Sequence, residues 1–160
     1  MIPIDDSRRT EPGLLQEHAP DDGDGVEDVV ERMLAAVPTR PGSDHDRLRD
    51  CIEAAQAVAQ AATACADACL AEEMIDELTG CVRTLLTTAD ICATTARVLS
   101  RRTGSDPVVV RALLTACWTA CRAGREASEE FALIHFHCQL CARACRSGER
   151  ACRALLASLQ

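Results

Sequence analysis

The chain has 160 residues and is 48% hydrophobic but only 2% aromatic, so one domain with a core of Ala, Leu, Val and Cys is expected. All its basic residues are Arg, and the formal net charge is −8. The sequence has no basic stripe for binding nucleic acids and no apolar run of about 18 residues that would predict a membrane span. Met1–Glu17 also lacks the apolar core of a signal peptide. We therefore expect a cytoplasmic protein without a nucleic-acid or membrane partner.

Residues 1–42 are predicted to form an acidic, largely disordered arm. Residues 1–50 carry 13 acidic and 6 basic side chains, so most of the negative charge lies in this part of the chain. The first 24 residues are rich in Asp, Glu, Pro and Gly, a composition typical of disorder. Apolar residues at helical spacing then predict a short amphipathic helix near residues 25–37, which Pro38 ends.

Residues 43–160 are predicted to form a bundle of four helices. The segment is rich in Ala and poor in β-branched residues, which favours helix. The predicted helices span about 43–71, 74–102, 107–130 and 134–159. Ser43 is a suitable N-cap for the first helix, and Gly104 is a typical residue to end the second. Asp106-Pro107 is a typical start for the third helix. Four helices of similar length with short connections predict an all-α, up-down four-helix bundle.

All eleven cysteines fall within these four helices. On each helix the spacing places them on one face, as with Cys65 and Cys69, which lie four residues apart. The same faces carry small or apolar residues, so we expect them to point inward and form a thiol-lined core. The cysteines are Cys51, Cys65, Cys69, Cys81, Cys92, Cys117, Cys121, Cys138, Cys141, Cys145 and Cys152.

The chemistry of this core favours copper(I). In a reducing compartment, cysteines are expected to be thiols or metal ligands rather than disulfides, and the odd number of cysteines agrees. Soft thiolates select copper(I), zinc or iron–sulfur clusters. The sequence lacks the paired Cys-x-x-Cys turns of structural zinc sites and the compact cysteine run of ferredoxins. Copper(I) accepts few ligands, so thiol pairs along a helix suit it best, and we expect several ions per chain.

His135 and His137, just before Cys138, are also candidate metal ligands. In an up-down bundle their turn lies at the same end as Met74, and both histidine and methionine bind copper. We therefore predict a metal entrance at this end, although solvated loop histidines are the simpler alternative. The opposite end is expected to be closed by apolar packing around Ile52, Leu99 and Leu155.

Three stretches resemble the cytosolic four-helix-bundle copper storage proteins, a Cys-rich family whose members have also been mislabelled as ferredoxins. They are CADACLAEEM (65–74), CVRTLLTTADICATTARVLSRRTGSDP (81–107) and HCQLCARACRSGERACRALL (137–156). The resemblance covers about residues 45–159 and implies a copper(I)–thiolate core, a homo-tetramer, and a role in storing or buffering copper. Several positions on the cysteine stripes carry no thiol, which predicts fewer copper ions than is usual for the family: Ala55, Val58, Ala62, Leu85, Thr88, Gly124, Ser128 and Gly148.

Two other functions would use the same features. A thiol redox or zinc-buffering protein would use the same cysteines, and a helical interaction module would recruit a partner through the acidic arm. An enzyme is not expected, because a catalytic cysteine needs a base partner and an exposed, electropositive setting. Glu72 and Glu73 are interpreted as solvated helix ends. Anaerobic titration separates these hypotheses, since a copper storage protein binds several equivalents with a thiolate-to-metal charge-transfer band.

Overall fold

The computed structural model describes residues 26–36, 44–101 and 106–159. Its helices are α1 (Val26–Ala36), α2 (Asp44–Leu70), α3 (Ile75–Leu99), α4 (Pro107–Glu129) and α5 (Phe136–Ser158). Helices α2 to α5 form the bundle, in which α2 and α4 each pack against both α3 and α5. The predicted all-α, up-down four-helix bundle with a short N-terminal helix is confirmed. No helix in the described ranges is long and apolar enough to cross a membrane.

The helix ends explain the small differences from the predicted boundaries. Asp106 caps α4, because its carboxylate accepts a hydrogen bond of 2.8 Å from the backbone N–H of Val108. Helix α5 begins at Phe136 instead of Ile134, because the preceding residues form a turn in which the His135 N–H donates to the Phe131 carbonyl at 2.8 Å. The predicted cap Ser43 and the predicted stop Gly104 lie outside the described residues.

The two ends of the bundle differ in composition. At one end, which we call the closed end, α3 finishes and α4 begins, and large apolar side chains fill the interior. They are Ile52, Leu99, Leu114 and Leu155, all at most 5% exposed, in agreement with the expected apolar closure. The other end, which we call the mouth, is formed by the α2–α3 and α4–α5 turns and carries His135, His137 and Met74.

Helix α1 lies against the outside of the bundle and contacts α2. Val30 and Leu34 are buried, while Val29 and Met33 on the same short helix are exposed. An ion pair of 3.4 Å joins Glu31 to Arg49 of α2. Because both members of this pair are partly exposed, the buried apolar residues contribute more to the contact than the ion pair does. The chain N-terminal to α1 lies outside the described residues.

Candidate metal centre

All eleven cysteines are free thiols and all are buried, none being more than 4% exposed. Each bundle helix therefore turns its single cysteine face inward, as the helical spacing predicts. The thiols are not spread evenly along the bundle axis. Their contacts divide them into two groups, one beneath the mouth and one near the closed end.

The outer thiol group lies beneath the mouth. The Cys138 Sγ is 3.8 Å from that of Cys65 and 4.0 Å from that of Cys69. Hydrogen bonds between thiols also link Cys65 to Cys141, and further thiol contacts extend the group on both sides. The six members are Cys65, Cys69, Cys81, Cys138, Cys141 and Cys145.

The inner thiol group lies near the closed end. The Cys92 Sγ is 3.6 Å from the Sγ atoms of both Cys117 and Cys121. The thiols of Cys51 and Cys152 lie 3.8 Å apart, and that of Cys152 also contacts Cys117 and Cys121. These five residues are the remaining cysteines of the chain, so every thiol belongs to one of the two groups.

Both groups contain ligand atoms close enough to share a metal ion. A metal ion bonds a thiolate at about 2.3 Å, so two sulfurs on one ion lie at most about 4.6 Å apart. The ligand atoms of Cys92, Cys117 and Cys121 lie within 4.8 Å of one another. The same holds for the set formed by Cys65, Cys69, Cys138 and His137. The short contacts of 3.6 to 4.0 Å within these sets satisfy the geometric limit.

His137 joins the outer thiol group through one ring nitrogen. Its Nδ1 lies 3.3 Å from the Sγ of Cys65 and 3.5 Å from that of Cys138. Its Nε2 lies 3.2 Å from the Glu72 Oε1. A carboxylate only accepts hydrogen bonds, so the Nε2 carries the proton and donates it to Glu72. This assignment from the hydrogen-bond partners leaves the Nδ1 lone pair directed at the thiols, where a metal would bind.

His135 has different neighbours from His137. Its Nδ1 lies 3.2 Å from the same Glu72 Oε1, and its Nε2 lies 3.3 Å from the Met74 Sδ. The two imidazole rings stack with their centroids 5.2 Å apart. His135 therefore faces a thioether and a carboxylate, whereas His137 faces the outer thiol group.

The interpretation of Glu72 as a solvated helix end is wrong. Its carboxylate lies between the two imidazoles of the mouth and is only partly exposed. Spacing could not reveal this contact, because Glu72 lies in the turn after α2 and meets residues more than sixty positions later. Its position beside the predicted metal entrance, two residues before Met74, is the one available signal.

Burial keeps the thiols of Cys81 and Cys138 protonated at neutral pH in the metal-free protein. It is the main cause that raises the pKa of Cys81 to about 12 and that of Cys138 to about 11. The hydrogen bond with Cys141, together with burial, raises the pKa of Cys65 above its ordinary value. A metal ion that binds these sulfurs must therefore displace their protons, which a soft cation does by bonding the thiolate directly.

A four-helix bundle with eleven buried free thiols and an imidazole against one thiol group defines a class of metal-holding helical proteins. The sequence profile of the family described as "copper storage protein" matches residues 44–157. The chain therefore belongs to the copper storage protein family, and the resemblance noted from its sequence is confirmed.

The chain is also similar to solved structures and to a curated relative. The copper storage protein Ccsp from Streptomyces lividans, loaded with 10 copper equivalents, is 48% identical with a TM-score of 0.78, over 80% of this chain and 98% of that one. A cytosolic copper storage protein from Streptomyces lividans with five coppers is 50% identical with a TM-score of 0.72, over 73% of this chain and 98% of that one. An uncharacterized cysteine-rich protein, YhjQ of Bacillus subtilis (strain 168), is 32% identical over 108 residues, which are 67% of this chain and 94% of that protein.

Proposed function

We propose that this chain binds several copper(I) ions through its core thiolates and stores or buffers copper in the cytosol. The observation that carries the proposal is the burial of all eleven free thiols in two contacting groups. Soft sulfur ligands at these separations suit copper(I), which needs few ligands per ion. Membership of the copper storage protein family and similarity to a cytosolic, copper-loaded relative support both the ion and the compartment.

Charge sets the expected copper capacity. A buried core tolerates little net charge, because an uncompensated ion in a low-dielectric interior is costly. Each thiol that loses its proton contributes one negative charge, and each copper(I) ion contributes one positive charge. With bridging sulfurs the two balance at about one copper per thiolate. We therefore expect a capacity that approaches the eleven cysteines of the chain.

The mouth provides the entrance for copper in this proposal. Met74 and His135 would meet the ion first, and His137 would pass it to Cys65 and Cys138, which its Nδ1 already contacts. All eleven cysteines, together with His135 and His137, are therefore the proposed metal ligands. The protons displaced from the thiols leave to solvent as copper replaces them.

Anaerobic titration of the reduced, metal-free chain with copper(I) tests the proposed function. We expect about eleven titratable thiols before copper is added, and several copper ions per chain afterwards with a thiolate-to-copper charge-transfer band. Binding of no more than one copper, measured by mass spectrometry without a competing chelator, would refute storage. Preferential retention of zinc in a competition between the two metals would favour the zinc-buffering alternative, and no metal binding would favour the interaction module.

We also propose that residues 43–160 form the metal-holding unit and that the protein acts as a homo-oligomer, a tetramer by family resemblance, without catalytic activity. All cysteines lie in that unit. Large apolar side chains are exposed beside the mouth, including Leu133, Ile134 and Phe136, and a second subunit would cover such a surface. Light scattering of the copper-free and copper-loaded protein measures the subunit number, and a chain that begins at residue 43 tests whether the arm is needed for copper binding.

A further inference from the structure

Four residues without sulfur lie between the two thiol groups, with the Cys145 Sγ of the outer group beside one of them and the Cys121 Sγ of the inner group beside another. Each bundle helix contributes one of the four: Val58 of α2, Thr88 of α3, Gly124 of α4 and Gly148 of α5. On α2, α3 and α5 the outer-group cysteines lie towards the mouth from these residues, and on all four helices the inner-group cysteines lie towards the closed end. We call these four residues the glycine layer.

The glycine layer is filled by complementary packing. A Cβ atom at Gly148 would lie 2.8 Å from a methyl carbon of Val58 and 2.8 Å from the Cys121 Sγ, which no real Cβ tolerates. A Cβ at Gly124 would lie 3.0 Å from the Thr88 Oγ1. The two side chains thus occupy the space that the two glycines leave, and both are at most 1% exposed. The space beside both glycines is therefore closely packed.

The layer also offers copper no available ligand. Valine and glycine side chains have no donor atoms. The Thr88 hydroxyl is held by the backbone, since it lies 2.8 Å from the carbonyl oxygen of Thr84 and 3.1 Å from that of Ala120. An ion that moves between the groups would therefore pass from Cys145, whose Sγ would lie 3.2 Å from a Cβ at Gly124, to Cys121, whose Sγ would lie 2.8 Å from a Cβ at Gly148, with no ligand from the layer itself.

The inner thiol group is enclosed on both sides. The glycine layer lies between it and the mouth, and Ile52, Leu114 and Leu155 close the opposite end. The outer thiol group instead lies directly behind the mouth, where His137 contacts two of its members.

On the basis of the proposed function, we propose that the core holds two separate copper(I) sites. The outer site has six thiolates and the His137 imidazole, and it exchanges copper directly with the mouth. The inner site has five thiolates and no imidazole, and it exchanges only when the glycine layer opens. The outer site thus acts as the exchangeable pool and the inner site as a slow reserve.

The reactivity of the metal-free thiols tests this division without copper. The reduced protein is exposed to a small maleimide, and the labelled cysteines are identified by peptide mapping at successive times. We expect the six cysteines of the outer group to react about tenfold faster than the five of the inner group, because labelling the outer group requires opening only at the mouth, whereas labelling the inner group also requires the glycine layer to open. A single kinetic phase, or a slow set other than Cys51, Cys92, Cys117, Cys121 and Cys152, overturns the proposal.

A pair of matched valine variants locates the barrier. Val58→Ala removes the γ-methyl groups, one of which fills the space beside Gly148, whereas Val82→Ala makes the same truncation at a buried position outside the layer. We expect V58A to bring the inner-group labelling rate close to that of the outer group, and V82A to leave the two rates apart. If V58A and V82A change the inner-group labelling rate equally, while circular dichroism shows that both remain helical, the layer is not the barrier.

A copper measurement on the same variants keeps the two proposals distinguishable. In the wild-type chain, a strong copper(I) chelator should remove copper in a fast and a slow phase, and V58A should merge them. A chain that binds several coppers but releases them in one phase contradicts the two-site proposal while leaving storage intact. A chain that shows two phases of thiol labelling but binds no copper contradicts storage instead.

Discussion

The two thiol groups use the same ligand in different surroundings. The outer group lies beneath polar residues that can bind or position an ion, namely Glu72, Met74, His135 and His137. The inner group is enclosed mainly by leucine, isoleucine and valine side chains, with the buried Thr95 as a polar neighbour that hydrogen-bonds Cys117. Sulfur chemistry is common to both groups, so any difference in how they exchange copper must come from what encloses them. Capacity and access are therefore set by different residues of the same bundle.

Removing thiols from one group should have the largest effect. In the triple variant Cys92→Ser, Cys117→Ser and Cys121→Ser the inner site loses its most closely spaced sulfurs. Because serine is a poor ligand for copper(I) and the expected capacity is about one copper per thiolate, we expect a loss of about three of the eleven copper ions, with fast exchange at the outer site retained. Cys65→Ser combined with Cys69→Ser should lower the capacity by removing outer ligands and spare the slow phase. Mass spectrometry after anaerobic loading measures both, and an unchanged capacity in either variant would contradict the assignment.

The second prediction concerns what the two groups share, which is burial. Well below pH 9 the thiols of Cys81 and Cys138 are protonated in both the folded and the unfolded chain, so the free energy of unfolding of the metal-free protein should not depend on their ionisation there. Burial raises the pKa of Cys81 to about 12 and that of Cys138 to about 11, from an ordinary value of 9.0. Between pH 9 and 12 the unfolded chain therefore loses protons that the folded chain keeps, and stability should fall as pH rises.

Denaturant unfolding at several alkaline pH values measures this loss. Each thiol that ionises only in the unfolded state lowers the free energy of unfolding by about 1.4 kcal/mol per pH unit. Copper-loaded protein is the control, because its thiols have already lost their protons to the metal and this contribution should disappear. A metal-free protein whose stability stays constant from pH 8 to pH 11 would show that the thiols are more accessible to water than the structure indicates.

The fold and the cysteine faces could be predicted from the sequence, because helical periodicity determines which residues share a face. Four helices with short connections leave few arrangements, and the observed α4 start at Pro107 coincides with the predicted one. The spacing of Cys65 and Cys69 was sufficient to predict an inward-facing pair. These features depend on residues that lie close together in the chain.

The contacts between helices were much harder to predict. The sequence shows Gly124 and Gly148 as gaps in the cysteine stripes, but it does not show that Thr88 and Val58 fill the space beside them. Glu72 was misinterpreted for the same reason, since its partners, His135 and His137, lie at the start of α5, far along the chain. The register between neighbouring helices depends on side-chain packing, which periodicity within one helix does not specify.

The third prediction compares glycines of different helices. Gly148→Ala places a Cβ against Val58 and Cys121, whereas Gly80 is exposed on α3 with no atom within 4 Å of an added Cβ. Alanine favours helix over glycine by about 1 kcal/mol, so Gly80→Ala should stabilise the protein by about that amount. Overpacking in a filled core costs about 1–3 kcal/mol, so Gly148→Ala should be neutral to destabilising by about 2 kcal/mol.

Urea unfolding of the metal-free proteins gives both values. The double variant Val58→Ala with Gly148→Ala should recover part of the loss, because it removes one of the two close contacts and leaves that with Cys121. Stabilisation by Gly148→Ala as large as that by Gly80→Ala would mean that the glycine layer is loosely packed. The proposed barrier between the thiol groups would then lose its structural basis.

The smallest effect is expected at the mouth, from Glu72→Gln. The Glu72 carboxylate accepts from the Nε2–H of His137 and so keeps its Nδ1 free for copper. A glutamine amide can either accept or donate, so it no longer selects that tautomer, and we expect copper transfer into the outer site to slow by up to about tenfold. Glu73→Gln is the matched control, because Glu73 is the exposed neighbour of Glu72.

The double variant His135→Ala with His137→Ala should also slow copper transfer. Like Glu72→Gln, it should leave the final capacity unchanged, because the thiols remain. The imidazole nitrogen chemical shifts of His137 in the metal-free protein report its tautomer directly. If these shifts were identical in E72Q, E73Q and the wild type, Glu72 would not be the residue that positions this histidine.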